Sequence, residues 1–181
     1  MKKLPITPIF IPANKLDYIE KAIKSGADGI IFDLEDAIPN EEKQVTRKSL
    51  FEFLSKKTLD IVSYIRINDL GGKDGQSDLD LFKSLNHKII IPKIETKKVL
   101  ENIQSDISII PLIETPLAIS NLSEIAAHSN VDSLFFGAAD FSAALGSDMS
   151  WDALLFARSK IILECSINNL FSIDSPFMNI S

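Results

Sequence analysis

Apolar residues along this chain come in short runs separated by stretches with helical spacing. The runs are Pro8–Pro12, Gly29–Leu34, Ile61–Ile67, Lys88–Ile94, Ile107–Ile113, Ser133–Gly137 and Phe171–Ile173, and they predict seven strands. Within Ile107–Ile113 only Ser108 and Pro111 interrupt the apolar residues, as in a parallel strand covered on both faces. The stretches between them predict helices. Lys15–Ser25 places Leu16, Ile19, Ala22 and Ile23 on one face and stops at Gly26, a residue suited to the left-handed C-terminal turn. A second helix starts near Asn40, capped by that side chain, and carries Val45, Leu50, Phe51 and Leu54 inward. Leu79–Leu85, Lys97–Gln104, Ala118–His128 and Trp151–Asn168 complete the set, with Trp151, Phe156 and Ile162 read as core. Strand followed by helix, repeated, implies a parallel sheet covered by helices, either doubly wound or closed as a (β/α)8 TIM barrel. Ile11-Pro12-Ala13-Asn14 follows the first strand where a dinucleotide fold would carry its glycine fingerprint, so that fold is disfavoured.

Side chains two apart on a strand share a face, which gathers the strand ends into one set. With Glu114 aligned to Ile110 and Leu112, the corresponding end positions elsewhere are Asp33 and Glu35, Arg66 and Asn68, Lys93 and Glu95, and Asp140. Charge thus stands at the carboxyl ends of five consecutive strands, and such convergence is costly unless the groups pair, bind an ion or hold a charged ligand. Each has a plainer alternative. Glu114 and Asp140 could cap the helices that follow them, Arg66 could pair with Glu95 or Glu35 in a structural network, and Lys93 and Glu95 read mainly as an ion-pair shell for Arg66. Gly71–Gly75 reads as a flexible loop, and neither His87 nor His128 is placed for catalysis.

Composition narrows the classes of function. At 181 residues and 45% apolar, one domain spanning 1–181 with a substantial core is expected. A net charge of −6, a pI near 4.9 and no basic cluster argue against nucleic acid and anionic membranes. The apolar residues after Met1-Lys2-Lys3-Leu4-Pro5 are too few for a signal-peptide core and no run approaches a membrane span, so a cytoplasmic location is expected. Cys165 is the single cysteine and reads as core packing in a reducing compartment. Only Arg47, Arg66 and Arg158 are arginines, which leaves few candidates for a planar, bidentate cation.

Taken in order, Pro12-Ala13-Asn14-Lys15, Ser25–Gly29, Asp33-Leu34-Glu35-Asp36-Ala37, Arg66-Ile67-Asn68, Pro92-Lys93-Ile94-Glu95, Leu112-Ile113-Glu114-Thr115-Pro116 and Phe136–Phe141 resemble the citrate lyase β-subunit branch of the HpcH/HpaI aldolase family. The resemblance runs from Pro12 to about Pro176. It implies a (β/α)8 barrel, Mg2+ with Mn2+ as the alternative ion, and carbon–carbon cleavage of a hydroxyacyl thioester or a 4-hydroxy-2-oxo acid. It marks Glu114 and Asp140 as metal ligands, with Glu114 also facing substrate. Arg66 is marked as the substrate-binding and catalytic arginine, Glu35 and Asp36 as the catalytic acidic pair, and Lys15 as a basic residue near substrate carboxylate or thioester phosphate. The general base stays open among Asp36, Glu35 and a hydroxide carried by the ion. Partners implied are a small carboxylate substrate, free or as a CoA or acyl-carrier thioester, and further copies of the chain in a homo-oligomer. One departure stands out: Asp174-Ser175-Pro176 follows the seventh strand and Ser181 is the last residue, so the expected eighth βα unit is lacking from a barrel that usually needs ~200 residues or more. A catalytically inactive remnant, binding but not turning over, is therefore the rival expectation.

Overall fold

Seven strands form where the Ile-rich runs lie, because β-branched side chains pack well on a pleated surface buried on both sides. The computed structural model describes residues 5–104 and 106–176. Met1–Leu4, weighed above for a leader, and residues 177–181 lie outside the described residues. The chain divides into two compact units, one up to Ile90 and one from Ile91 onward.

In the first unit, β1 (Pro8–Pro12), β2 (Gly29–Asp33), β3 (Val62–Arg66) and all but the last residue of β4 (Lys88–Ile91) are parallel neighbours in that order. The register sets Pro12 beside Asp33, Asp33 beside Arg66, and Arg66 beside Ile90, so the carboxyl ends of the strands are level. Helix α1 runs Tyr18–Lys24, later than expected, because Lys15–Asp17 are taken up by turns in which the Lys15 N–H donates to the Pro12 carbonyl at 2.8 Å. It buries Ile19 and Ala22, whereas Ile23 faces solvent, and Gly26 takes the left-handed turn at φ 89°. Helix α2 (Lys43–Lys56) follows one turn of 3-10 helix, Asn40–Glu42, and Asn40 makes no capping bond. Its inward face is Thr46, Arg47, Leu50 and Leu54; Val45, expected inside, is exposed, since positions three and four before Leu50 are 46 and 47. Helix α3 is Lys73–Phe82 and not Leu79–Leu85. The glycine-rich stretch is in part its first turn, and Gly75 lies so close to the preceding chain that a Cβ there would sit 2.1 Å from the Asp69 carbonyl oxygen.

The second unit holds β5 (Ile109–Ile113), β6 (Ser133–Phe136) and β7 (Phe171–Ile173), again parallel and in chain order. The helix expected over Lys97–Gln104 is one 3-10 turn, Lys97–Val99. The one expected over Ala118–His128 is two short helices, α4 (Pro116–Ser120) and α5 (Leu122–Ala126), broken at Asn121, whose side-chain amide donates to the Glu95 carbonyl at 2.9 Å. Helix α6 (Ala138–Leu145) ends at Gly146 in a left-handed turn with φ 68°. Helix α7 (Trp151–Asn168) is capped by Ser150, whose hydroxyl oxygen accepts the Ala153 N–H. It buries Leu154, Ala157, Ile161 and Cys165, an i, i+3, i+7, i+11 stripe, and burial pushes the Cys165 thiol up to about 11. Trp151, Phe156 and Ile162 are 63%, 71% and 59% exposed, contrary to expectation. Apolar residues surround most of this helix, so spacing alone could not choose the buried face. Among the described residues no helix is long and apolar enough to cross a membrane.

Candidate active site

In the first unit, Asp33 ends β2 and Arg66 ends β3, and the register places them side by side. Arg66 donates through Nε to Asp33 Oδ1 at 2.7 Å and through Nη2 to Oδ2 at 2.6 Å, a bidentate pair with the Asp33 side chain almost fully buried. The same carboxylate accepts the Glu35 N–H at 3.0 Å and the Ala37 N–H at 3.1 Å, which folds the acidic loop back over the strand end. That loop brings Glu35 and Asp36 to 3.2 and 3.4 Å from Arg66 Nη1. Glu35 is buried and Asp36 is exposed. The guanidinium also lies 5.0 Å from the Phe10 ring centroid. Burial disfavours its charge, but the Asp33 hydrogen bonds and the charges of Asp33, Glu35 and Asp36 outweigh it, so the Arg66 pKa is raised.

Two residues beyond Arg66, Asn68 enters a second polar group in this unit. Its N–H and its side-chain amide donate to Asp78 Oδ2 at 2.9 and 2.7 Å, and Lys43 Nζ donates to its Oδ1. Arg47 Nε donates to the other oxygen of Asp78, and Arg47 Nη2 reaches Asp74 at 2.7 Å. Lys15 stands in an exposed turn, and among the described residues its ammonium pairs with no carboxylate.

In the second unit, Glu114 follows β5 with its side chain buried, and its Oε1 accepts the Lys93 N–H at 2.7 Å. Lys93 has φ 55°, a left-handed backbone that costs a non-glycine residue about 1 kcal/mol or more. Thr115 caps α4 by accepting the Ala118 N–H, so the capping alternative for Glu114 is excluded. Beside it, Gly137 continues β6, and a Cβ there would lie 2.8 Å from Glu114 Cβ and 3.1 Å from Oε2. Asp140 sits in the first turn of α6, exposed, with Gly137 as the N-cap, so it is no cap either. The Ser175 hydroxyl donates to the Phe136 carbonyl at 2.6 Å and accepts the Ala138 N–H at 2.8 Å, tying the end of β6 to the start of α6.

The structure therefore brings Arg66, Glu35 and Asp36 together, sets Glu114 and Asp140 at the ends of neighbouring strands, and leaves Lys15 apart. The sequence marks Asp33 only as a charged strand end, with no role, and gives Ser175 none either. Asp33 was legible in principle, since it and Arg66 each end an apolar run. Among the described residues no group of three or more His, Cys, Asp or Glu gathers as a metal site. Glu114 and Asp140 nevertheless suit Mg2+ in donor chemistry, because that ion takes hard oxygens and is commonly held by one or two carboxylates with the rest from water and substrate. Gly137 lets the Glu114 side chain pack against its bare Cα, where a Cβ would meet it at 2.8 Å.

Residues 7–181 match the family model described as HpcH/HpaI aldolase/citrate lyase. The chain is 35% identical over 156 residues to a (3S)-malyl-CoA thioesterase of Cereibacter sphaeroides, covering 81% of this chain and 53% of that protein. It is 27% identical over 173 residues to the citrate lyase subunit beta of Escherichia coli K12, covering 85% and 57%. The chain thus spans little more than half the length of these relatives. Among solved structures, the protein CitE of Mycobacterium tuberculosis in complex with magnesium and acetoacetate matches with a TM-score of 0.82 and 27% identity, over 96% of this chain and 74% of that one. Another structure of that protein holds magnesium, acetoacetate and coenzyme A. With its ordered motifs and the match over residues 7–181, the chain belongs to the HpcH/HpaI aldolase/citrate lyase family.

Proposed function

We propose that the chain is a Mg2+-dependent carbon–carbon lyase or aldolase that cleaves a small hydroxyacyl thioester or 4-hydroxy-2-oxo acid. The observation that carries this reading is the Asp33–Arg66 pair with Glu35 and Asp36 folded onto it, a buried guanidinium at a strand end with one exposed carboxylate in reach. In this reading Glu114 and Asp140 hold the ion, which supplies Lewis-acid stabilisation of negative charge on a carbonyl oxygen. Arg66 binds the substrate carboxylate, which takes the place of Asp36, the more weakly held of its partners at 3.4 Å. Asp36 or Glu35 accepts the proton of the substrate hydroxyl. The hydroxyl carbon becomes a carbonyl as the carbon–carbon bond breaks, and the electron pair passes to the other fragment as an enolate, which Arg66 helps to stabilise. The barrel reading of the fold, a cytoplasmic location and a homo-oligomer go with this proposal.

One observation favours a second reaction. The match to a malyl-CoA thioesterase supports hydrolysis of a hydroxyacyl-CoA thioester as an alternative outcome at the same residues. A panel of hydroxyacyl thioesters and hydroxy-oxo acids, incubated with and without Mg2+, separates the cases. Release of pyruvate, oxaloacetate or glyoxylate supports the lyase, free CoA with the intact hydroxy acid supports the thioesterase, and neither product from any substrate leaves a binding module. Glu114→Gln and Asp140→Asn are each expected to weaken Mg2+ in calorimetric titration; unchanged titrations remove them as ligands.

A further inference from the structure

We propose that Lys43 is an anion-binding residue, held in place by a relay that runs Arg47, Asp78, Asn68. The starting point is the orientation of the Asn68 amide. Asp78 is fully buried on α3, and its oxygens accept from Arg47 Nε and from both the backbone and the side chain of Asn68. A carboxylate only accepts, so the NH2 end of Asn68 must face Asp78 and the oxygen end must face away, toward Lys43. The relay therefore presents a fixed acceptor to the lysine ammonium, and Arg47 balances the charge of Asp78.

The Lys43 charge is not balanced in the same way. Its ammonium has three donors and one neutral acceptor, Asn68 Oδ1, and among the described residues no carboxylate lies within ion-pairing distance. Arg47, on the same helix face four residues on, is met by two carboxylates. Lys43 is also the first residue of a 14-residue helix, where the helix dipole disfavours a cation. A half-buried ammonium in an unfavourable place, oriented by a buried network and left with donors to give, suits an anionic ligand better than it suits stability. Asn68 lies two residues beyond Arg66, and the acidic loop of Glu35 and Asp36 leads into the helix that Lys43 begins. The ligand class is a carboxylate or phosphate oxygen anion, and its assignment to the substrate or its thioester carrier rests on the function proposed above.

The test is amine-specific labelling of the intact chain, with peptide mapping of Lys43 against exposed Lys48 as the control. Inorganic pyrophosphate, oxaloacetate and coenzyme A are added separately. Lys43 labelling is expected to slow several-fold with at least one of them while Lys48 is unaffected. Protection by pyrophosphate and coenzyme A places the phosphates there; protection by oxaloacetate alone places a carboxylate. Lys43→Met is expected to lower affinity for the protecting anion by about tenfold or more, the worth of one charge-assisted hydrogen bond. Asn68→Ala is expected to remove the protection with the fold retained, and Asn68→Asp is not a substitute because it sets a carboxylate against Asp78. If no anion protects Lys43, the proposal fails even where the panel above shows turnover. Protection without turnover upholds it and removes the lyase reading, and protection that survives in Asn68→Ala overturns the relay.

Discussion

Substituting Gly137 by alanine tests whether Glu114 is held rigidly or merely rests at a strand end. The new methyl would lie 2.8 Å from Glu114 Cβ, 3.1 Å from its Oε2 and 3.5 Å from Leu112 Cγ. The nearest of these is attached directly to the backbone of the residue that follows β5 and cannot swing aside as a side-chain tip could. The Lys93 N–H, 2.7 Å from Oε1, holds the far end as well. The strand ends must therefore shift, and overpacking of this kind costs about 1–3 kcal/mol. At about 2–4 °C of melting temperature per kcal/mol for a chain of this size, Gly137→Ala is expected to lower the midpoint by roughly 2–12 °C. Urea denaturation of a double-mutant cycle gives the decisive reading. Glu114→Gly removes the Cβ that the methyl meets, so the alanine penalty should shrink in that background, with a coupling of about 0.5–3 kcal/mol. A midpoint equal to wild type for Gly137→Ala, or the same penalty with and without the Glu114 side chain, would refute a close, rigid contact here.

Two further expectations concern the first unit. Arg66→Met leaves the buried Asp33 carboxylate without its bidentate partner and is expected to cost about 3–5 kcal/mol in urea denaturation; a loss below about 1 kcal/mol would show that the pair is solvated in solution. His87 is half-buried beside Ser63, and burial lowers its pKa below the ordinary 6.5, only partly offset by its hydrogen bond to the Ser63 backbone. The unfolded chain then takes up a proton near pH 6.5 that the folded chain resists, so this contribution to stability is complete above that pH and is lost as pH falls below it. Melting temperatures at pH 7.5 and 5.5 should fall further for the wild type than for His87→Gln, and equal falls would remove His87 as the cause.

The strands were legible because a strand buried on both faces leaves an almost unbroken apolar run, and Pro8–Pro12 and Phe171–Ile173 came out residue for residue. Helix faces were less so. Spacing reads Trp151, Phe156 and Ile162 as core, but the apolar residues of this helix leave the choice of buried face to packing against other elements that local spacing does not encode. In the same way, the break at Asn121 depends on a carbonyl 26 residues earlier. For the candidate site, side-chain alternation picked out the charged strand ends, but not what meets them. Asp33 meets Arg66 through a register set between strands 33 residues apart, and Lys93 offers its N–H through a left-handed backbone that a lysine does not advertise.

The pairings follow one physical rule. A carboxylate withdrawn from water needs donors fixed in advance, because mobile ones would add an ordering cost to the cost of desolvation. Asp33 has a guanidinium locked in register with it, Asp78 has Arg47 and both donors of Asn68, and Glu114 has a backbone N–H set by a strained residue. In each case the partner comes from a different element, so folding itself brings the charges together. Lys43 departs from the rule, since the same machinery turns a neutral oxygen toward it and leaves its charge for something else to meet. Aspartate at position 68 would pair Lys43 directly, and asparagine at position 78 would relieve the repulsion between two carboxylates, although its NH2 group then faces either the residue-68 N–H or Arg47 Nε. The pair Asn68→Asp with Asp78→Asn is therefore expected to weaken anion protection of Lys43.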